Sequence, residues 1–236
     1  MVERPIRVGV VGVGYGGTVH IPGFQAEGVE VVAVCTRRPE RAQAAAERFS
    51  IPHVFTDYEE MIRMDGLDAV SVVTPVPLHY VVTMAALAAG KHVMCEKPFT
   101  TNQALGREMW EEAQRRNVTA MIGHEFRFSS ARMRVKELLD EGYIGTPKMA
   151  FVKLLLGQTA PRTLRPFMPG RDEAEQGAGF LWGLGSHYID GLRHWFGEVA
   201  SVSGQVITQY PERTARDSNE IVLADTDDVQ AQVQPT

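Results

Sequence analysis

The sequence predicts an α/β fold with two parts: an N-terminal doubly wound Rossmann domain, residues 1–124, and an α+β substrate domain, residues 125–236. Short β-branched apolar runs alternate with amphipathic stretches through the first part, and a glycine-rich turn follows the first run. This alternation stops near residue 124. Because continuous apolar strands are buried on both faces, we expect a parallel sheet wound with crossover helices.

The strands predicted for the first domain are IRVGVVG, VEVVAVC, DAVSVVT, KHVMC and VTAMIG. Helical patterns occupy roughly residues 15–26, 39–49, 77–89 and 101–116. In the second domain SSARMRVKELLDEGYIG predicts one helix, whereas KMAFVKLLLG and VASVSGQVIT predict strands. A long loop rich in Pro, Gly and Arg separates those two strands, so the second domain is predicted to be α+β with an open sheet.

Composition restricts the classes of partner and compartment. The 236 residues include 24 basic and 29 acidic side chains, interspersed, with a net charge of −5, which argues against nucleic acid and anionic membranes as partners. No apolar run approaches the roughly 20 residues of a membrane span, and we expect a cytoplasmic protein. Cys35 and Cys95 lie in apolar runs and predict buried free thiols; no metal site is predicted.

The run VGVVGVGYGG indicates a dinucleotide site, because its glycines have G-x-G-x-x-G spacing between a strand and a helical pattern. Gly12 is expected to permit the tight turn, Gly14 to let the backbone approach a pyrophosphate, and Gly17 to let the helix pack closely on the strand. Tyr15 and Gly16 complete the turn. We predict that all five residues bind the cofactor, with the phosphate charge at the helix N-terminus.

The end of the second strand, VCTRRPE, bears on the choice of cofactor. An acid at this position would hold the ribose hydroxyl of NAD and repel the extra phosphate of NADP. Thr36, Arg37 and Arg38 instead offer a hydroxyl and two cations, which favour NADP. NAD or dual use stays open, because Glu40 on the following helix is an alternative acid.

The segment TPVPLHYVVTMAALAAGKHVMCEKPFT places polar groups at the carboxyl ends of two predicted strands, where ligands bind in parallel sheets. Lys97 could hydrogen-bond a reacting hydroxyl or carbonyl and relay its proton, with Glu96 holding the ammonium. An ordinary Glu–Lys pair is the alternative. Thr74, Pro75 and His79 are predicted on the cofactor side, although His79 is equally explained as a packing histidine that ties down its loop.

Together, the glycine turn and the TP-x-x-x-H, AGKHV and EKP runs resemble the glucose-fructose oxidoreductase, inositol 2-dehydrogenase and MocA-like family of NAD(P)-dependent oxidoreductases. The resemblance covers nearly the whole chain. It implies that Lys97 has a catalytic and nicotinamide-positioning role. Members of this family are longer, so it also implies that the second domain's sheet is incomplete here and that the full-length form is a homo-oligomer through that sheet.

In the second domain the family pattern G-G-G-x-L-x-D-x-G-x-H-x-x-D aligns with residues 177–190, and the position of its first aspartate is Gly183 here. The matching residues are Gly177, Gly179, Leu181, Gly185, His187 and Asp190. The resemblance implies that His187 is a general base facing the substrate, and an imidazole suits that task. Asp190 either orients His187 or makes a structural contact.

Other side chains are candidates for substrate binding. Trp182 is a candidate wall for an apolar sugar face, as is Tyr188, with core packing as the alternative. Arg127, in the HEFRF segment, could serve a substrate oxygen or fasten the two domains. The arginines of the long loop offer sites for a carboxylate or phosphate, or are simply solvated: Arg162, Arg165 and Arg171.

These features predict an NAD(P)-dependent oxidoreductase that transfers a hydride between a nicotinamide cofactor and a sugar, polyol or related small molecule. Lys97 and His187 would handle the proton. The alternative is a non-catalytic NAD(P)-binding regulator of the same fold, which Gly183 and the incomplete sheet favour. A further alternative is an unusual substrate that does not need the missing acid.

Overall fold

The computed structural model describes residues 4–154, 167, 173–215, 218, 220–227 and 229–231. The chain divides into two compact units, Met1–Gly123 and His124–Thr236. Within the described residues, no helix is both long enough and apolar enough to span a bilayer.

A six-stranded parallel sheet forms the centre of the first unit, in the order β3-β2-β1-β4-β5-β6. The strands are β1 Arg7–Val11, β2 Glu30–Cys35, β3 His53–Phe55, β4 Ala69–Val72, β5 His92–Cys95 and β6 Ala120–Ile122. From β1 to β3 successive strands are added toward one edge of the sheet, and from β4 to β6 toward the other edge. The order therefore switches between β1 and β4, and the crevice at such a point is where ligands bind in open α/β sheets. The predicted doubly wound fold is confirmed, with β3 as an additional strand.

Five helices connect these strands, and their ends follow local sequence signals. They are α1 Ile21–Ala26, α2 Pro39–Phe49, α3 Tyr58–Ile62, α4 His79–Ala88 and α5 Gln103–Arg116. A π-helical turn, Gly16–His20, runs into α1, and a 3-10 turn, Val76–Leu78, precedes α4. The Asn102 side chain caps α5 by accepting a hydrogen bond from the Leu105 N–H at 3.1 Å.

Two apolar clusters form the core of this unit. Val10 and Val34 belong to one cluster, and their strand neighbours Val11 and Cys35 belong to the other. Because successive side chains of a strand point to opposite faces, the clusters lie on the two faces of the sheet. Cys35 and Cys95 are buried free thiols, as predicted, and burial raises the pKa of each to about 12.

The second unit combines helices with short antiparallel strand pairs. Its helices are α6 Ser130–Asp140 and α7 Ser186–Phe196, with 3-10 turns at Glu125–Phe128 and Ala174–Gln176 and a π-helical turn, Leu181–Gly185, that leads into α7. The strand β7 Gln205–Ile207 pairs with β10 Val229–Ala231, and β8 Glu212–Thr214 pairs with β9 Ile221–Leu223. Among the described residues, α6 and α7 are thus accompanied by two two-stranded sheets.

Two predicted strands of the second unit differ from the structure. Residues 148–154 of the KMAFVKLLLG run are not in a strand, and the rest of that run lies outside the described residues. The side chains of residues 148–153 are exposed, and no described strand pairs with them. Strand propensity needs a partner surface to take effect. For the same reason, only Gln205–Ile207 of VASVSGQVIT is a strand.

Candidate functional site

The glycine turn after β1 is shaped for close backbone approach. Gly12 has a φ of +103°, and a Cβ atom there would lie 2.2 Å from the Val73 carbonyl oxygen. Its N–H donates a hydrogen bond to the Cys35 carbonyl at 2.8 Å. Only glycine fits this position. Gly14 is exposed, and a Cβ there would meet no described atom within 4 Å, so the backbone of the turn is open to a ligand.

Close contact between the helical segment and β1 occurs at Gly16, where a Cβ would lie 3.1 Å from Val10 Cγ1. A Cβ at Gly17 would meet no atom of residues 4–154 or of the other described segments within 4 Å, so the packing role predicted for Gly17 is wrong. The π-helical turn that starts at Gly16 sets which glycine faces the strand. Tyr15 is 45% exposed beside the turn.

The residues predicted to select the cofactor lie between β2 and α2. Thr36 is half-buried, and its N–H donates to the Phe55 carbonyl at 3.2 Å. Arg37 and Arg38 are exposed, and neither forms an ion pair with a carboxylate of the described residues. Glu40 is also exposed, in the first turn of α2. The arrangement leaves both guanidinium groups available to an anion.

His79 connects the two loops that follow β4 and β5. Its Nε2 lies 2.8 Å from the Thr74 carbonyl oxygen, and its Nδ1 lies 2.8 Å from the Pro98 carbonyl oxygen. Burial lowers the pKa of this imidazole, against the two carbonyl contacts that raise it. These contacts match the loop-tying alternative for His79. Pro75 is exposed in the same loop.

Glu96 is 7% exposed and lies at the carboxyl end of β5. Its Oε1 is 2.9 Å from His20 Nε2, and its Oε2 accepts a hydrogen bond from the Lys97 N–H at 3.1 Å. Burial alone would raise the pKa of Glu96, but the hydrogen bond and charge of His20 and the Lys97 N–H together lower it. The Lys97 side chain is half-buried, and the Lys97–Pro98 peptide bond is cis.

Sequence analysis missed three members of this cluster, which are His20, Ser71 and Gly123. His20 Nδ1 lies 2.9 Å from Ser71 Oγ, so the imidazole bridges β4 and the end of β5. Nε2–H can donate to the Glu96 carboxylate, and the Ser71 hydroxyl, which can donate or accept, is the partner of Nδ1. The available sequence signal was a histidine on the buried face of an otherwise apolar helical segment. Gly123 closes the cluster, because a Cβ there would lie 2.8 Å from Glu96 Oε1.

The first unit's crevice fits a dinucleotide on structural grounds. Gly12 leaves no room for a side chain, Gly14 presents open backbone, and both lie at the carboxyl end of β1. Thr74 Oγ1 is buried and has no hydrogen-bond partner among the described residues. Such a hydroxyl is suited to a polar ligand group, since buried polar atoms are normally paired.

In the second unit, His187 on α7 is 2% exposed and is enclosed by the HEFRF segment. Its ring stacks on Phe126 at a centroid distance of 4.0 Å and an interplanar angle of 13°. The His124 ring meets its edge at 5.5 Å. Glu125 Oε2 lies 3.8 Å from His187 Nδ1. An acid, an aromatic face and a second imidazole therefore surround the predicted base.

Arg127 is engaged by Asp190 of α7. Its Nε donates to Asp190 Oδ2 at 2.8 Å, and its terminal nitrogen donates to Asp190 Oδ1. The hydrogen bonds that Arg127 donates to this carboxylate raise the pKa of Arg127. His124 Nδ1 lies 3.6 Å from the same carboxylate. Asp190 thus makes the structural contact that was one of its two predicted roles, and it fastens the HEFRF turn to α7.

Three more predicted positions lie on or before α7. Trp182 is 43% exposed, whereas the Tyr188 ring lies 4.7 Å from the Arg132 guanidinium carbon. At Gly183, a Cβ would meet no atom of the described residues within 4 Å outside its own helix. The loop arginines proposed for anion binding lie outside the described residues: Arg162, Arg165 and Arg171.

Comparison with known proteins gives matches along both units. Residues 6–124 match the model of the "oxidoreductase family, NAD-binding Rossmann fold". Residues 133–236 match the GFO/IDH/MocA C-terminal domain. An uncharacterized oxidoreductase of Synechocystis is 32% identical over all of this chain and 67% of its own length.

A characterised relative and a solved structure are also similar. The scyllo-inositol 2-dehydrogenase (NADP⁺) of Bacillus subtilis is 30% identical over 86% of this chain and 55% of its own length. The structure of a levoglucosan dehydrogenase in complex with NADH and L-sorbose superposes with a TM-score of 0.83 at 26% identity, over 94% of this chain and 62% of that chain. The chain thus spans a little over half to two thirds of the length of these relatives.

Proposed function

The chain belongs to the GFO/IDH/MocA oxidoreductase family with an NAD-binding Rossmann fold, and on that premise we propose that it acts in hydride transfer between a nicotinamide cofactor and a sugar or polyol. The observation that carries this proposal is the crevice of the first unit. There, Gly12, the open Gly14 backbone and the Glu96–Lys97 pair all follow the carboxyl ends of strands in one parallel sheet.

Cofactor binding is assigned to the residues around that crevice. The backbone of Gly14, Tyr15, Gly16 and Gly17 would hold the pyrophosphate at the start of the helical segment, with Gly12 fixing the turn. Thr74 Oγ1, buried with no hydrogen-bond partner among the described residues, would serve a polar group of the same ligand. A bound nicotinamide supplies the site that accepts or donates the hydride.

NADP is the proposed preference. Thr36, Arg37 and Arg38 present a hydroxyl and two exposed guanidinium groups at the end of β2, and a 2′-phosphate offers the dianion that such groups bind. Glu40 is the one acid of this stretch, and it lies in the first turn of α2. Relatives are named for both cofactors, the B. subtilis dehydrogenase for NADP⁺ and the levoglucosan dehydrogenase complex for NADH.

Proton transfer is assigned to two side chains of this chain. Lys97, half-buried next to Glu96, would hydrogen-bond the reacting oxygen and relay its proton. His187 would accept the proton in the second unit, where Phe126 and Glu125 fix its ring. Trp182, exposed near the start of α7, would contact the substrate. Arg127 stays a candidate for a substrate oxygen, with its guanidinium engaged by Asp190.

A direct test measures binding and turnover separately. Fluorescence titration with NADPH and NADH should show binding that Gly12→Ala weakens by at least tenfold, because a Cβ there would overlap the Val73 carbonyl. Lys97→Ala should keep NADPH affinity but lower hydride transfer to a panel of polyols and aldoses by roughly 10²- to 10⁴-fold. Lys148→Ala, at an exposed lysine of the second unit, is the matched control.

Two outcomes would contradict these assignments. Tight cofactor binding without turnover on any carbohydrate would refute the dehydrogenase proposal and favour the non-catalytic regulator. An Arg37→Ala/Arg38→Ala protein with unchanged NADPH affinity would refute the NADP preference.

We propose, too, that the domains are residues 1–124 for the cofactor and residues 125–236 for the substrate, and that the longer form is a homo-oligomer in the cytoplasm.

A further inference from the structure

From the second unit we infer that Glu125 is a positioning residue that holds the proton of His187 on Nδ1 and so leaves Nε2 as the proton acceptor. This inference deepens the proposed function, in which His187 is the base. It concerns the carboxylate that the family pattern leads one to expect at position 183, where this chain has glycine.

The geometry around the imidazole brings one acid to one nitrogen. Glu125 Oε2 lies 3.8 Å from His187 Nδ1, and hydrogen bonds between catalytic groups are often long before substrate binds. The Phe126 face fixes the plane of the His187 ring at 4.0 Å. With the ring plane fixed, the contact at Nδ1 selects between the two tautomers.

The Glu125 oxygen that faces His187 is in an unfavourable environment for a carboxylate. Glu125 Oε2 is buried and accepts no hydrogen bond from any described residue, although the side chain as a whole is 42% exposed. A buried carboxylate oxygen without a donor is costly, so a nearby N–H is strongly favoured. The Nδ1–H tautomer of His187 directs its N–H toward this oxygen, whereas the Nε2–H tautomer sets a lone pair against it.

Neighbouring charged groups do not compete for this role. Asp190, the other acid near the ring, is held by Arg127 and lies 3.6 Å from His124 Nδ1. Arg132 lies over the Phe126 ring at 4.7 Å. The Arg127–Asp190 pair also anchors the HEFRF turn to α7, which keeps Glu125 in place.

Nitrogen-15 NMR of the imidazole groups tests the inference in the full chain without cofactor or substrate. His187 is assigned among the seven histidines by comparison with His187→Gln. We expect wild-type His187 to be mainly the Nδ1–H tautomer. The isosteric Glu125→Gln should lower the tautomer ratio by roughly 5- to 10-fold, which is the difference between a charge-assisted and a neutral hydrogen bond. Glu175→Gln, at an exposed acid of the same unit, is the matched control.

A rescue variant separates a positioning role from a merely structural one. Position 183 is four residues before His187 on the same helical segment, and no atom of the described residues outside that helix lies within 4 Å of a Cβ there. Gly183→Asp combined with Glu125→Gln should restore the Nδ1–H tautomer. Glu125→Asp, with a shorter reach, should give an intermediate ratio.

The inference is overturned if wild-type His187 is mainly the Nε2–H tautomer. It is also overturned if Glu125→Gln changes the tautomer ratio no more than the control Glu175→Gln does. These readings do not depend on turnover. A protein that shows the tautomer shift but transfers no hydride would refute the proposed function alone.

Discussion

Replacing His20 by phenylalanine should destabilise the first unit by about 3 to 4 kcal/mol. His20 is 6% exposed and Glu96 is 7% exposed, so solvent screens their contact little. The substitution removes the 2.9 Å contact to the Glu96 carboxylate, worth about 2 to 3 kcal/mol as a charge-assisted hydrogen bond. It also leaves the buried Ser71 hydroxyl without its contact to Nδ1, at about 1 kcal/mol.

A double-mutant cycle isolates the pair. Glu96→Gln alone should cost about 1 kcal/mol, since the amide still meets His20 but the charge is lost. When residue 96 is glutamine, His20→Phe no longer leaves a buried carboxylate without its hydrogen-bond partner. The double variant should therefore be about 2 kcal/mol more stable than the sum of the single changes predicts.

Hydrogen exchange of the β1 and β4 amides, read by mass spectrometry, gives the free energy of unfolding of the first unit separately from the second. His53→Phe, at an exposed histidine of β3, should change that free energy by less than about 0.5 kcal/mol. Additive single changes, within about 0.5 kcal/mol, would refute the reasoning, because His20 and Glu96 would then be independent.

Two further predictions concern groups away from the site. Cys35 and Cys95 should stay unlabelled by a thiol reagent at about pH 8 in the native protein and react in denaturant, because burial raises each thiol pKa to about 12; rapid native labelling would contradict this. The Arg4 guanidinium holds the pKa of Asp68 at about 2, below its ordinary 3.8. The Arg4–Asp68 pair therefore stabilises the fold fully when the pH is above about 3.8, and this stabilisation is lost as the pH falls through about 2. Asp68→Asn should therefore lower the free energy of unfolding by about 1 kcal/mol near neutral pH and by almost nothing below about pH 2. If denaturant titrations give the same loss at both pH values, protonation of Asp68 is not linked to stability in this way.

The first unit was largely predictable because its signals are local. Each apolar run that must be buried on both faces was recognisable as a strand. β3 was missed, since His53–Phe55 is only three residues long and begins with an exposed histidine. The role of Gly17 was wrong because a π-helical turn, which spacing alone does not reveal, brings Gly16 to the strand instead.

Contacts distant in sequence were beyond prediction. Partners of His20 lie 51 and 76 residues away, so no spacing rule links them to the glycine turn. Glu125 was passed over for a similar reason, because its relation to His187 depends on how the HEFRF turn folds back on α7. The strand predicted from residue 148 failed for a different reason: its apolar side chains have no described partner strand.

The π-helical turns, Gly16–His20 and Leu181–Gly185, have a consequence for how this chain tolerates insertions and deletions. A π-helical turn holds one more residue than the α-helical turn it replaces. Deleting a single residue from Leu181–Gly185 should therefore convert it to α-helix without shifting α7, whereas the same deletion inside Ser186–Phe196 would rotate every later side chain. The π-helical turn before α7 can therefore lose one residue while the His187 side chain on α7 stays on the same buried face.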